Sequence, residues 1–170
     1  MRALRRLFAD NGAAAGTEMA LVTPLLLIIM MGSVELGNYF MDEHILVKAV
    51  RDGARYAARQ PFVNFACSGI PGDSVVSDTQ TLVMTGLLSG GSNKLGGITP
   101  SMITVSQSCS DAGTTLSGIY NGMTSGGRIV TVTATVPYVP VLHSFGFTGL
   151  GPGGTALNLN ASQQAAVTGL

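Results

Sequence analysis

Residues 19–41 read MALVTPLLLIIMMGSVELGNYFM, and this stretch decides the fold of the chain. No residue from Met19 to Val34 carries a charge, and Glu35 is the one acid inside the run. A transmembrane helix needs about 20 mostly apolar residues. The stretch therefore predicts a single membrane span with one acid near its far end.

The charges that flank this run predict its orientation. Arg2, Arg5 and Arg6 precede it, and Asp42 and Glu43 follow it. Because basic residues stay on the cytoplasmic side, the N-terminus is expected inside and the C-terminal part outside. The apolar run is too long for a removable secretory signal, and no A-x-A cleavage site follows it.

A helical pattern continues beyond the apolar run. Apolar positions fall on one face at Tyr39, Leu46, Val50, Ala54 and Ala57, and charged positions fall on another at Lys48, Asp52, Arg55 and Arg59. Pro61 ends the pattern. One helix is predicted from Thr17 to Gln60, about 65 Å long. Half would cross the bilayer, and half would project as an amphipathic stalk on which a sheet packs through Leu46, Val50 and Ala54.

Two acids border the apolar run. Glu18 lies at its inner edge, where a charge is unfavourable unless it is paired. It is either a solvated acid at the headgroups or a carboxylate kept for a cation, such as the N-terminal amine of a neighbouring subunit. Glu35 lies about 25 Å further along the axis, close to the outer interface, so a solvated or interfacial acid is expected there.

Composition sets the class of the remainder. Charged residues make up 11% of the 170 residues and the formal net charge is zero. Because no basic excess is present and tryptophan is absent, binding of nucleic acid is not expected. The length suits one modest domain and an anchor.

The two cysteines, Cys67 and Cys109, lie in no metal-binding spacing. Outside the cytoplasm they favour a disulfide that closes a loop of about 42 residues, worth roughly 3–4 kcal/mol in the chain-entropy model. Two buried free thiols are the alternative.

Beyond the long helix the pattern predicts a small α+β domain. The expected elements are a loop over Pro61–Asp78, a short helix over Thr79–Leu88 with Leu82, Val83 and Leu87 inward, and about three antiparallel strands. The strands are expected within Ile98–Cys109, at Arg128–Val136 and from Leu157 towards Val167. The fold class is therefore α+β, with a long transmembrane and stalk helix before the domain.

Signatures of catalysis are missing from the sequence. It has no GxSxG, HExxH, Walker A or GxGxxG element. Ser89–Gly91 and Gly151–Gly154 lack the lysine of a phosphate loop and are expected to be turns, and His143 is expected to be a packed or surface residue. No enzyme activity, cofactor, metal or small-molecule substrate is predicted.

Several short elements follow one another along the N-terminal third of the chain: Arg5-Arg6, Gly12–Ala15, Glu18, Ala20-Leu21 with Thr23-Pro24-Leu25, Glu35-Leu36-Gly37 and Ala54–Ala58. In their order and spacing they resemble the TadE-like minor pseudopilins of the tight-adherence (Tad) pilus. This resemblance implies a bacterial inner-membrane protein with a periplasmic domain that supports pilus assembly, adhesion and biofilm formation. The implied partners are a prepilin peptidase, other minor pseudopilins and the assembly platform.

The same resemblance implies that a leader is removed on the cytoplasmic side. A cut after Ala13 makes Glu18 the fifth mature residue, whereas a cut after Gly12 makes Ala13 the first residue and Glu18 the sixth. Gly12, Ala13 and Ala14 are therefore the candidate processing residues. The expected organisation is a leader over 1–13, a transmembrane and stalk helix over 14–60, and an extracytoplasmic domain over 61–170.

Two other functions compete with the pilus function. A membrane-anchored binding module unconnected with pili predicts no leader cleavage and a dispensable Glu18. An envelope enzyme would need a cluster among the few polar candidates beyond the stalk, which are Asp73, Asp78, Lys94, Asp111, Arg128 and His143.

Overall fold

A computed structural model of the chain describes residues 11–67, 69–110, 118–121, 126–142 and 157–169. Contacts divide it into two units, residues 1–38 and 39–170. The long helix contributes to both, and its second half belongs to the larger unit. The stalk predicted from the sequence is therefore the central helix of the folded domain.

Helix α1 spans Asn11–Ala58 and continues through Pro24. The single long helix is confirmed, although it begins six residues earlier and ends two residues earlier than predicted. After Ala58 the chain tightens, and the Arg59 and Gln60 amides bond to carbonyls three residues back. This tightening has a physical reason: Pro61 disfavours the helical conformation at the residue before it.

Helix α2 spans Asp73–Thr85, so the prediction of Thr79–Leu88 was displaced. It starts directly after Gly72, whose carbonyl accepts the Val75 and Val76 amides, and Asp73 in its first turn complements the helix dipole. It ends at Gly86, whose φ of +82° suits glycine.

The displacement changes which side chains of α2 point inward. Val75, Thr79 and Val83 are buried, and Leu82 is partly buried. Leu87, which was expected to be buried, is 54% exposed because it lies beyond the end of the helix.

Three strands form an antiparallel sheet in the order β1-β2-β3. They are β1 (Ile103–Cys109), β2 (Arg128–Pro137) and β3 (Asn158–Ala166). Strand β1 lies within the predicted Ile98–Cys109 segment and follows a 3-10 turn over Pro100–Met102. The α+β class, the short second helix and the three antiparallel strands are confirmed.

One face of the sheet and the second half of α1 share a single core. Alternate strand positions are buried, among them Val105, Val130, Val132, Ala134, Val136 and Leu159. In the same cluster Leu46 and Ala54 are 0% exposed and Val50 is 1% exposed. The predicted burial of these three helix positions is confirmed.

The face of α1 that packs against α2 carries small side chains. A Cβ added at Gly53 would lie 2.5 Å from Val83 Cγ2 and 3.3 Å from Thr79 Cγ2. Ala49 and Ala57 lie one turn on either side of Gly53 and are also buried. Small residues at this spacing let the two helices approach closely.

The C-terminal segment of the chain is hydrogen-bonded to the C-terminal end of α1. The Thr168 amide donates to the Ala58 carbonyl at 2.7 Å. Nearby, Arg128 Nη1 donates to the Phe62 carbonyl at 2.8 Å, and its guanidinium lies 5.3 Å from the centre of the Phe62 ring. Tyr120 packs edge-on against Phe62 at 6.1 Å, and burial raises the pKa of its phenol, an effect that the Arg128 charge opposes.

A disulfide joins the loop after α1 to the end of β1. Cys67 and Cys109 are bonded, with their Cα atoms 5.7 Å apart. Beside the bond, the Gln107 amide donates to the Gly69 carbonyl and Gln107 Nε2 donates to the Ile70 carbonyl, both at 3.0 Å. These bonds hold the loop along the outer edge of β1.

Candidate membrane and subunit-packing helix

The first unit of the chain presents an unusually apolar surface. Over residues 19–36 of α1 most large side chains are exposed, including Met19, Leu21, Leu25, Leu26, Ile28, Ile29, Met30 and Val34. An apolar surface of this extent is unfavourable in water and marks a lipid or protein contact. Among the described residues, one helix is long and apolar enough to span a membrane, from Ala15 to Ala58.

Hydroxyl groups within the apolar run are satisfied by the helix itself. Thr23 Oγ1 donates to the Met19 carbonyl at 2.7 Å, and Ser33 Oγ donates to the Ile29 carbonyl at 2.8 Å. Polar groups inside a bilayer need such internal partners, because lipid tails offer none. The exposed surface is therefore compatible with hydrocarbon in spite of its two hydroxyls.

Glu18 is exposed at the inner edge of this surface, between Thr17 and Met19 on α1. The candidate processing residues Gly12, Ala13 and Ala14 lie on the first turns of the same helix. Arg2, Arg5 and Arg6 lie outside the described residues. The structure thus places the candidate processing residues and Glu18 on one continuous helix.

Glu35 differs from the expectation of a solvated or interfacial acid, because it is only 1% exposed. Its helix neighbours Val34 and Leu36 are 55% and 49% exposed. The expectation rested on distance along the helix axis alone. A carboxylate this deeply buried is costly and needs compensating partners.

No catalytic or metal site is assembled from the polar candidates that the structure describes. Asp78 accepts a hydrogen bond from the Tyr56 hydroxyl at 3.1 Å. Arg128 donates to the Phe62 carbonyl, just beyond the C-terminal end of α1. No three metal-ligating side chains cluster within the described ranges. Asp111, His143 and Gly151–Gly154 lie outside those ranges.

A shallow groove lies on the outer face of α1. It is lined by residues of this one helix: His44, Val47, Lys48, Arg51, Asp52 and Arg55. The groove therefore follows the charged face of α1, and every residue that lines it comes from this helix.

Two features of the structure were missed from the sequence. The first is the close α1–α2 contact, which the spacing of Ala49, Gly53 and Ala57 could have signalled. The second is a contact between the Tyr39 and Tyr138 rings, whose centres are 5.3 Å apart. No local pattern signals that pair, because its members are far apart in sequence.

Comparison with known proteins gives one family match. Residues 12–55 match the family model described as TadE-like protein. No curated protein and no solved structure gave a significant match. The matched segment contains Glu18, the apolar run and Glu35, which are the residues that carried the resemblance. Residues 12–55 are therefore similar to TadE-like proteins, in agreement with the resemblance seen in the sequence.

Proposed function

We propose that the chain is a minor pseudopilin-like membrane protein that supports Tad pilus assembly and surface adhesion. The TadE-like match supports involvement in Tad pilus systems in general. The minor pseudopilin role itself is supported by the exposed apolar surface of α1, with Glu18 at its inner edge. A helix of this kind can exchange lipid contacts for contacts with neighbouring helices.

In this proposal a prepilin peptidase cuts after Gly12 or Ala13 on the cytoplasmic face of the inner membrane. The cut removes Arg2, Arg5 and Arg6, whose charges hold the helix at that face. It also creates an amine close to Glu18. A charge costs about 2.5–3.5 kcal/mol at the centre of a membrane helix on insertion scales and less at its edge, so pairing with a neighbour's amine would favour entry into a helical bundle.

The partners in this proposal are other minor pseudopilins and the pilus assembly platform, and the larger unit faces the periplasm. The chain acts through helix packing and subunit contacts, without catalysis, cofactor or small-molecule substrate. The low charge beyond Gln60 supports this structural role.

The test is complementation of a deletion strain of the source bacterium. The strain would receive the wild-type chain, Glu18→Gln, Glu18→Asp or Asp73→Asn, the last being an exposed acid on α2 that serves as the matched control. Surface pili are counted by electron microscopy, and membrane levels of the protein are measured by immunoblot. We expect loss of pili with Glu18→Gln, partial retention with Glu18→Asp and normal pili with Asp73→Asn.

Intact mass and N-terminal sequencing of membrane-extracted protein complete the test. A mature start at Ala13 or Ala14 supports prepilin-type processing. Normal piliation of the deletion strain would overturn the pilus role. A retained Met1 together with a dispensable Glu18 would instead indicate a membrane-anchored binding module.

A further inference from the structure

Strand β2 runs alongside the second half of α1 in the opposite direction. At its start, Arg128 bonds to the Phe62 carbonyl, just beyond the end of α1. Immediately after its end, the Tyr138 ring lies 5.3 Å from the Tyr39 ring, near the middle of α1. The lengths agree, because ten strand residues and the α1 turns from Tyr39 to Ala58 each span about 30 Å. The C-terminal end of β2 therefore lies beside Tyr39 of α1.

The level of Tyr39 is also the outer end of the apolar run. Phe40 and Met41 are 54% and 66% exposed, and the acidic Asp42 and Glu43 follow directly. Tyrosine is enriched where a helix passes from hydrocarbon to headgroups. If α1 spans a membrane as proposed above, this turn lies at the outer interface.

The segment that leaves β2 at this level is apolar and uncharged. Residues 137–142 read PYVPVL, and Val139 and Val141 are 56% and 54% exposed. Pro137 and Pro140 have no amide hydrogen, which lowers the cost of placing this backbone away from water. Exposed apolar side chains at the headgroup level gain by entering the acyl boundary, to a depth of about 5–10 Å in interfacial segments.

We propose that residues 138–142, which follow the last residue of β2, form a membrane-contact loop that inserts Val139 and Val141 into the outer surface of the bilayer that α1 crosses. Lipid covers these two valines, because they lie at the same height along α1 as the end of the apolar run and the segment carries no charge. The loop would hold the domain against the membrane through a second point besides α1. The proposal rests on the membrane span in the proposed function.

The chain contains no tryptophan, so each single-tryptophan variant gives an isolated fluorescence signal. The full chain would be reconstituted in phosphatidylcholine vesicles, with or without lipids brominated on the upper acyl chain. The loop variants are Val139→Trp and, as a second position, Val141→Trp. Phe40→Trp reports the span, and Val63→Trp is the matched control, since Val63 is 86% exposed in the loop beyond the far end of α1.

We expect brominated lipid to quench Phe40→Trp and both loop variants and to leave Val63→Trp unchanged. Quenching of Phe40→Trp with neither loop variant quenched would overturn the membrane-contact loop and leave the span intact. A blue-shifted but unquenched loop tryptophan would also overturn it, by indicating a protein partner. No quenching of Phe40→Trp would refute the span, and the loop proposal would fall with it.

Discussion

Gly53 is the position where a single added methyl group tests the packing of the domain most directly. A Cβ at this position would lie 2.5 Å from Val83 Cγ2, far inside van der Waals contact, and Val83 is only 1% exposed. The Gly53→Ala variant must therefore move α2 away from α1 or force Val83 out of its rotamer. Either response loosens the contact between the two helices.

Two opposing terms set the magnitude for Gly53→Ala. Alanine in a helix interior is more favourable than glycine by about 1 kcal/mol. Overpacking a tight core costs typically about 1–3 kcal/mol. We therefore expect a net loss of up to about 2 kcal/mol in the free energy of unfolding. Gly37→Ala is the control, because a Cβ on Gly37 meets no atom within 4 Å.

Val83→Ala provides the partner substitution for a double-mutant cycle. Alone it should cost about 2 kcal/mol, from two lost methyl groups and a cavity. In the double variant the methyl group added by Gly53→Ala enters the space that the Val83 side chain vacates. The two losses should therefore fall short of additive by about 1 kcal/mol or more, as is usual for residues in contact.

The assay is urea unfolding of the full chain in detergent micelles, followed by tyrosine fluorescence and near-ultraviolet circular dichroism. Equal m-values across the wild type, the two single variants and the double variant would license comparison of the free energies. Strict additivity of Gly53→Ala and Val83→Ala would refute the proposed contact. A stabilising Gly53→Ala would also refute it, since only helix propensity would then be acting.

Four further substitutions test other interactions in the domain by the same urea assay. Cys67→Ser or Cys109→Ser should lower the free energy of unfolding by about 3–4 kcal/mol in the chain-entropy model, and only the wild-type chain should change mobility on a gel when it is reduced. Arg128→Met removes the bond to the Phe62 carbonyl and the stacked charge and should cost about 2 kcal/mol; an unchanged urea midpoint would show that these contacts are weak. Thr79→Val replaces a buried hydroxyl that has no hydrogen-bond partner within the described residues and should stabilise by about 1 kcal/mol, whereas a loss would show that the hydroxyl is satisfied.

The parts of the fold that were predictable have strong periodic signals. The stretch RIVTVTATV alternates apolar and polar residues, and it forms β2 as a half-buried strand. The faces of α1 were also predictable beyond Met41, because Leu46, Val50 and Ala54 recur at helical spacing and are buried. In both cases one local pattern decides the outcome, and the tertiary structure agrees with it.

The start of α2 was not predictable in the same way. Ser77-Asp78 has the composition of a helix start, and Asp73-Ser74 has it too. The choice between them depends on Gly72, whose amide bonds to the Asn64 carbonyl at 2.8 Å and fixes where the loop ends. That bond crosses eight positions of sequence, so no local propensity contains it.

The candidate site was predictable in its chemistry but only partly in its surroundings. The apolar run, Glu18 and the family resemblance could all be recognised from the sequence. The burial of Glu35 was not signalled by its position along the helix axis. The pairing of Tyr39 with Tyr138 could not be predicted either, since it depends on which strand end lies beside that turn of α1.

The side-chain sizes along α1 explain how one helix serves two environments. From Met19 to Met41 its exposed positions are mostly Leu, Ile, Met and Val, which maximise apolar area towards lipid or neighbouring helices. From Ala49 to Ala58 its buried positions are all Ala, Gly or Val, which bring the helix axis close to α2 and the sheet. A large residue at Gly53 would disrupt the domain, whereas a large residue at an exposed position of the apolar run would leave the domain intact. The helix surface therefore changes in what it must contact between Met41 and Ala49, and substitutions on either side of that stretch should separate loss of the proposed pilus function from loss of folding.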